Sequence, residues 1–196
     1  MSKIILIYCF AYFAGSVNFA IIFLKLAGKA DPRLSFSGNA GTTNVYRQAG
    51  ILWAAVVFGL DIGRAIAVAF VAMYFLNEDL LPWTCFFLIL GNSFPCFHRF
   101  RGGKGVANYL GFTLLVAPWT AALAAAIWLV VYGIVRIPFI ASFFMVFILA
   151  CGQALAFHWH FSAVTGASAT FLLVLFNHRK NIASYGKTTE PQIHHK

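Results

Sequence analysis

Six apolar runs dominate the chain, near residues 4–24, 51–76, 80–97, 106–135, 137–157 and 161–176, with short polar stretches between them. A helix crossing the roughly 30 Å hydrocarbon layer needs about 20 apolar residues, and most runs meet that length. The fourth spans residues 106–135 and contains Pro118. Proline removes a helix hydrogen bond and clashes with the preceding turn, so that run divides there into two shorter helices. The pattern therefore predicts an all-α, polytopic integral membrane protein of about seven transmembrane helices. Lys3 ahead of the first run resembles a signal peptide. The run's length, Asn18 within it and the spans that follow favour a retained helix.

Composition agrees. The chain is 61% hydrophobic and 10% charged, where soluble domains are about 25% charged. One transmembrane domain, 1–196, is expected, with polar loops at 25–50, 92–108 and 136–142 and a tail at 177–196. Charge sets the orientation. Lys25, Lys29, Arg33 and Arg47 follow span one, Arg99, Arg101 and Lys104 follow span three, and Arg136 follows span five. Arg179, Lys180, Lys187 and Lys196 lie in the tail, and with seven spans all four groups fall on one side. Basic loops stay cytoplasmic, so the N-terminus is expected outside and the C-terminus inside. The net charge of +9 serves topology and anionic lipid headgroups, and no nucleic-acid-binding pattern accompanies it. Cys9, Cys85, Cys96 and Cys151 are scattered without metal-like or redox spacing. His158 and His160 flank Trp159 with no carboxylate nearby, a poor metal site and a good interfacial anchor. No metal or cofactor is expected.

The polar loops carry the candidate chemistry. Ser37, Asn39, Gly41, Thr43 and Asn44 precede Arg47 in a loop held between apolar helices. Such a loop must satisfy its backbone, and an anion can accept from exposed N–H groups. The second loop reads Gly102-Gly103-Lys104-Gly105. Glycines admit close backbone approach and the lysine supplies a point charge. It is no P-loop, because Gly105 stands where Ser or Thr must follow the lysine. Arg136 and Ser142 form a third, sparse cluster, and His178, Asn181 and Glu190 a fourth in the tail. Within the membrane, Asp61 and Arg64 stand at i,i+3 and can pair, in a structural or a functional role.

Taken together, these segments resemble the PlsY family of bacterial acyl-phosphate:glycerol-3-phosphate acyltransferases, over nearly the whole chain and in order. Its first motif, Gly-Ser-Gly-Asn-x-Gly-Ala-Thr-Asn-Val-x-Arg, is met by Ser37, Gly38, Asn39, Gly41, Thr43, Asn44, Val45 and Arg47. Phe100 and residues 102–107 meet the second, and His178, Arg179, Asn181, Ile182 and Glu190 the third. Arg136 and Ser142 match positions between them. The resemblance implies seven helices in a bacterial inner membrane with these loops gathered at the cytoplasmic face. It implies transfer of a fatty acyl chain from acyl phosphate to the sn-1 hydroxyl of glycerol 3-phosphate, giving lysophosphatidate and phosphate, without acyl-CoA. Acyl phosphate is already activated, so no protein nucleophile is needed. The implied site has Arg47 and Lys104 on phosphate, with the N–H groups of Gly102, Gly103 and Gly105 around the donor. Ser37, Asn39, Ser142, His178 and Asn181 would orient the acceptor. Gly41, Thr43, Asn44, Arg136 and Glu190 complete the expected substrate-binding set.

Several positions depart from the family pattern. Asn92 stands where a histidine is usual, and it cannot take a proton near neutrality. Phe36 replaces a leading glycine, which strains the backbone if φ there is positive. Arg64-Ala65 replaces Lys-Gly, and Thr42, Asn108, Ser184 and Thr188 also differ from the usual residues. A non-catalytic binder of phospholipid or phosphate ligands is the alternative reading. A transporter fits less well, because mid-depth polar residues are few.

Overall fold

The computed structural model describes residues 1–189 and is all helical among them. Helix α1 (Ser2–Ser16) and α2 (Phe19–Leu26) form one apolar stretch, interrupted at residues 17–18. Asn18 restarts the helix by accepting from the Ile21 N–H at 3.1 Å, the usual work of an N-cap amide. A short 3₁₀ turn, Pro32–Leu34, leads to α3 (Thr42–Ala49) and the long α4 (Ile51–Phe75). Then come α5 (Leu81–Ser93), α6 (Val106–Val116), α7 (Pro118–Val135), α8 (Pro138–Ala156), α9 (Phe161–Asn177) and α10 (Arg179–Thr189). The division at Pro118 falls where the sequence puts it. Pro118 and Pro138 each open a helix, where a missing N–H costs nothing.

Five helical stretches among the described residues are long and apolar enough to cross a bilayer: 2–26, 51–75, 78–98, 118–135 and 138–156. A sixth results if α9 and the start of α10, bent by 47°, count together. The remaining apolar helix is α6, whose 11 residues reach roughly 16 Å at 1.5 Å per residue. It spans about half the hydrocarbon layer, so the expected seventh crossing is a half-length helix.

In lipid, helices associate through close packing of small residues rather than hydrophobic exclusion. Gly15 of α1 lies against the Leu88 carbonyl of α5, and Gly91 of α5 against the Tyr12 carbonyl of α1. Gly111 brings α6 onto α4, where an added methyl would stand 2.7 Å from the Ile62 carbonyl oxygen. Outward faces keep exposed apolar side chains, such as Leu6, Phe70, Leu123 and Leu172. Tyr109, Phe112, Leu88 and Leu149 are fully buried among the packed helices. The result is a bundle whose polar loops converge at one end of α4, α5, α6, α8 and α9.

Candidate active site

The glycine–lysine loop is held by its own backbone. The Gly102 N–H donates to the Ser93 carbonyl at 3.1 Å, and the Gly103 N–H to the Asn92 carbonyl at 2.9 Å. On its other side the Gly102 carbonyl accepts from the Ala40 N–H at 3.3 Å, joining the first polar loop to the second. A methyl on Gly102 would run into the Asn92 carbonyl, and one on Gly103 would stand 2.8 Å from the Ala40 carbonyl oxygen. These glycines are therefore needed for the approach of three backbone segments. The expectation that the Gly102 and Gly103 amides cradle a phosphate is corrected, because both donors are already used.

The N–H groups left open are instead those at the start of α6. Gly105, at φ 85°, caps it without a side-chain bond, and the first N–H groups of a helix have no acceptor within it. Such an end favours negative charge. Gly105, Val106, Ala107 and Asn108 all line a cavity of about 460 Å³.

Lys104 enters the same cavity, with Nζ donating to Asn181 Oδ1 at 2.5 Å. Burial, and then the neighbouring Arg47 charge, push its pKa down from 10.5 to about 8. His178 is buried where α9 meets α10, with Nδ1 2.8 Å from the Val174 carbonyl and its ring edge-on to Phe143. A carbonyl only accepts, so Nδ1 carries a proton. The Ser142 hydroxyl donates to the Pro138 carbonyl at 2.9 Å and accepts from Trp128 Nε1 at 3.2 Å. Its proton is thus committed, and it meets a ligand only as an acceptor. The cavity is also lined by Phe58, Leu110, Leu129 and Met145. One space is therefore lined by both cationic and apolar side chains.

The profile of the family described as "Glycerol-3-phosphate acyltransferase" matches residues 5–187. A protein of that name from Jannaschia sp. (strain CCS1) is 39% identical over 185 residues, 93% of this chain and 89% of that protein. Another, from Bordetella pertussis, is 34% identical over 192 residues, covering 93% and 88%. The chain belongs to the glycerol-3-phosphate acyltransferase family. The crystal structure of PlsY (YgiH), an integral membrane glycerol 3-phosphate acyltransferase, in its glycerol 3-phosphate form superposes with a TM-score of 0.87 at 30% identity, covering 95% of this chain and 94% of that one. The lysophosphatidic acid form gives 0.84 at 28% identity, covering 95% and 93%.

Within this acyltransferase-family fold, most of the residues singled out from sequence meet at the cavity. Ser37, Asn39, Gly41, Thr43, Arg47, Gly103, Lys104, Gly105, Ser142, His178 and Asn181 all line it. Three do not. Gly102 lies behind the loop, and Arg136 is exposed at the end of α7 at φ 59°, outside the lining. Asn44 is buried, its Nδ2 donating to the carbonyls of Pro32, Ser35 and Asn39 at 2.5, 3.1 and 3.0 Å. It organises the first loop, so its assignment to substrate binding is corrected. Glu190 lies outside the described residues.

Sequence reasoning left Asp61 between a structural and a functional role, singled out Asn92 and Asn108 only as departures from the family pattern, and missed Trp128; all four line the cavity. Trp128 gives no signal, since an indole in an apolar run is ordinary membrane composition. It also missed Arg33, which pairs with Asp31 at 2.6 Å and donates to the His98 and Arg101 carbonyls at 2.7 and 3.1 Å. That arginine ties the first loop to the second and holds the Asp31 carboxyl below its usual range, chiefly through their hydrogen bond.

Proposed function

We propose that this chain transfers a fatty acyl group from acyl phosphate to the sn-1 hydroxyl of glycerol 3-phosphate. The products are lysophosphatidate, for phospholipid synthesis, and inorganic phosphate. The observation that carries this reading is one cavity lined both by Lys104, Arg47 and the start of α6 and by apolar side chains. An acyl phosphate has that same division, an anionic head on a hydrocarbon tail. Relatives named for glycerol-3-phosphate acyl transfer, and the PlsY forms with glycerol 3-phosphate and lysophosphatidic acid, support the acceptor and the product.

The chemistry favours direct transfer. Among the described residues no cysteine lines the cavity, the Ser142 hydroxyl donates to the Pro138 carbonyl, and His178 is bonded to a backbone carbonyl rather than to a serine. No activated protein nucleophile is formed, and a mixed anhydride needs none. The sn-1 oxygen attacks the acyl carbonyl carbon, a C–O ester bond forms, and the bond from that carbon to the bridging oxygen breaks. The electron pair leaves with phosphate, and an oxygen of that phosphate takes the hydroxyl proton. Lys104 and the α6 N-terminus hold the phosphate whose charge grows, the largest single contribution such a site offers. Arg47, at the exposed rim, holds the glycerol 3-phosphate phosphate. His178, Ser37, Asn39 and Asn181 border the acceptor and align its attacking hydroxyl. Alignment of two bound reactants supplies the rest.

The reading extends to the whole chain as one transmembrane acyltransferase domain in a bacterial inner membrane, N-terminus outside, with the site facing the cytoplasm. The basic loops support it. The test is purified protein in lipid, given palmitoyl phosphate and labelled glycerol 3-phosphate. Labelled lysophosphatidate is expected without acyl-CoA. No product from palmitoyl phosphate, or product from palmitoyl-CoA alone, would reject the reading.

A further inference from the structure

Arg64 sits in α4 with its side chain 8% exposed, beside Asp61 at 2.7 Å. A buried ion pair is weak evidence for stability, because desolvation offsets most of the attraction. What distinguishes this pair is where the remaining donors go. Nη1 donates to the Val17 carbonyl at the break between α1 and α2. Nη2 lies 2.7 Å from Asn108 Oδ1 and 3.3 Å from Asn92 Oδ1, and Nε is 3.2 Å from the same Asn108 oxygen. Guanidinium has five N–H donors and no acceptor. It therefore fixes the orientation of both carboxamides, a choice that is otherwise free for an asparagine. Each oxygen must face Arg64, so each NH₂ must face away from it.

The other side is the cavity. Asn92 and Asn108 are 3% and 1% exposed, yet both line it, as does Asp61. Nδ2 of neither is bonded to an acceptor among the described residues, and neither is sealed from the cavity as a buried unpartnered atom. Asn92 Nδ2 lies against Gly103, 2.8 Å from where a methyl on that glycine would be, beside Lys104. Asn108 is in the first turn of α6, next to the open N–H groups.

We infer that Asn92 and Asn108 are substrate-contacting residues whose NH₂ groups donate to oxygen atoms of acyl phosphate, and that Arg64 is the positioning residue that aims them. This rests on the acyl-transfer reading of the cavity. The neutral carboxamides add hydrogen-bond donors to the anion site without adding charge inside the membrane, where a further unpaired cation is costly. Donors held by a buried scaffold need not reorganise as charge develops. Asn92 thus has a task that needs no proton transfer, and Asp61 neutralises the residue that orients it.

Asn92→Asp and Asn108→Asp separate this role from a structural one. A carboxylate keeps, and strengthens, the bond to Arg64 while replacing the cavity-facing donor with an acceptor. Both variants should melt near the wild-type temperature in detergent. Each should raise KM for palmitoyl phosphate at least tenfold and leave KM for glycerol 3-phosphate within twofold. Folded variants with palmitoyl phosphate KM within twofold of wild type would overturn the inference. If the carboxylates prevent folding, Asn92→Ala and Asn108→Ala remove the donor without adding charge, and the same two thresholds apply. Arg64→Lys keeps the pairing with Asp61 but offers no planar fork for two amides, and should raise the same KM several-fold. No change there would remove the positioning role. Lys104→Ala, assayed alongside, distinguishes the two levels of failure. Unimpaired Lys104→Ala defeats the assignment of the cavity itself. Impaired Lys104→Ala with unimpaired aspartate variants defeats only the carboxamide donors.

Discussion

Lys104 is charged below about pH 8 in the folded protein and stays charged to 10.5 once unfolded. The unfolded chain therefore binds the extra proton between those values, and the burial cost of this lysine fades as pH rises from 8 to 10.5. Activity should move the opposite way, because the charged form holds phosphate. The kcat/KM for acyl phosphate should decline about tenfold per pH unit above roughly 8. Lys104→Arg, which retains its charge throughout, should lack that decline, whatever its absolute rate. A pH–rate profile of both proteins checks this, and an unchanged descending limb in the arginine variant would remove Lys104 as its source. Phe36 is a different residue-scale case. It sits at φ 51°, is 68% exposed, and stands where the motif of the family it resembles begins with glycine. A left-handed non-glycine residue costs roughly 1–2 kcal/mol, of which a glycine's extra freedom when unfolded returns about half. Phe36→Gly should stabilise the protein by about 0.5–1 kcal/mol, read as a raised melting temperature in detergent.

Helices and loops differ in how far sequence reaches them. The apolar runs and Pro118 locate the long helices, because the bilayer imposes one length and one hydrogen-bonding solution on each. The motif residues Ser37, Arg47, Lys104, His178 and Asn181, far apart in the chain, line one cavity. Sequence does not reveal how the loop backbones spend their donors. Gly102 and Gly103 look like an anion cradle until Ser93 and Asn92 are seen accepting from them. Asn44 looks like a ligand residue until its amide is seen closing its own loop. Arg136 is a matching residue that caps α7, exposed and outside the cavity lining. These outcomes depend on long-range pairings that no local pattern encodes. The revised role of the glycines is testable. Gly103→Ala forces a methyl against the Ala40 carbonyl and the Asn92 amide, and should cost roughly 1–3 kcal/mol. Gly59→Ala in α4, with nothing within 4 Å, should not destabilise. Comparative melting of the two variants decides between a packing role and a purely ligand-binding one.

At the scale of the molecule, charge asymmetry and site location make one statement. The loops that build the cavity carry Arg33, Arg47, Arg99, Arg101 and Lys104, whereas the turn after α4 carries Glu78 and Asp79. Lys29→Cys and Glu78→Cys, each in a cysteine-free background, should report opposite sides to a membrane-impermeant thiol reagent. In spheroplasts Glu78→Cys should label and Lys29→Cys should not; the reverse would place the cavity outside. The proposed reading asks the same of the half-length α6: its N-terminus would hold the phosphate at the cytoplasmic ends of the apolar helices, leaving the acyl tail in hydrocarbon. The central claim is that this cavity transfers acyl groups from acyl phosphate, and single-turnover formation of labelled lysophosphatidate by wild type and by folded Lys104→Ala tests it most directly. The account predicts product from wild type with no acyl-CoA present and at least a hundredfold slower transfer by the variant. Equal rates in the two proteins would contradict it.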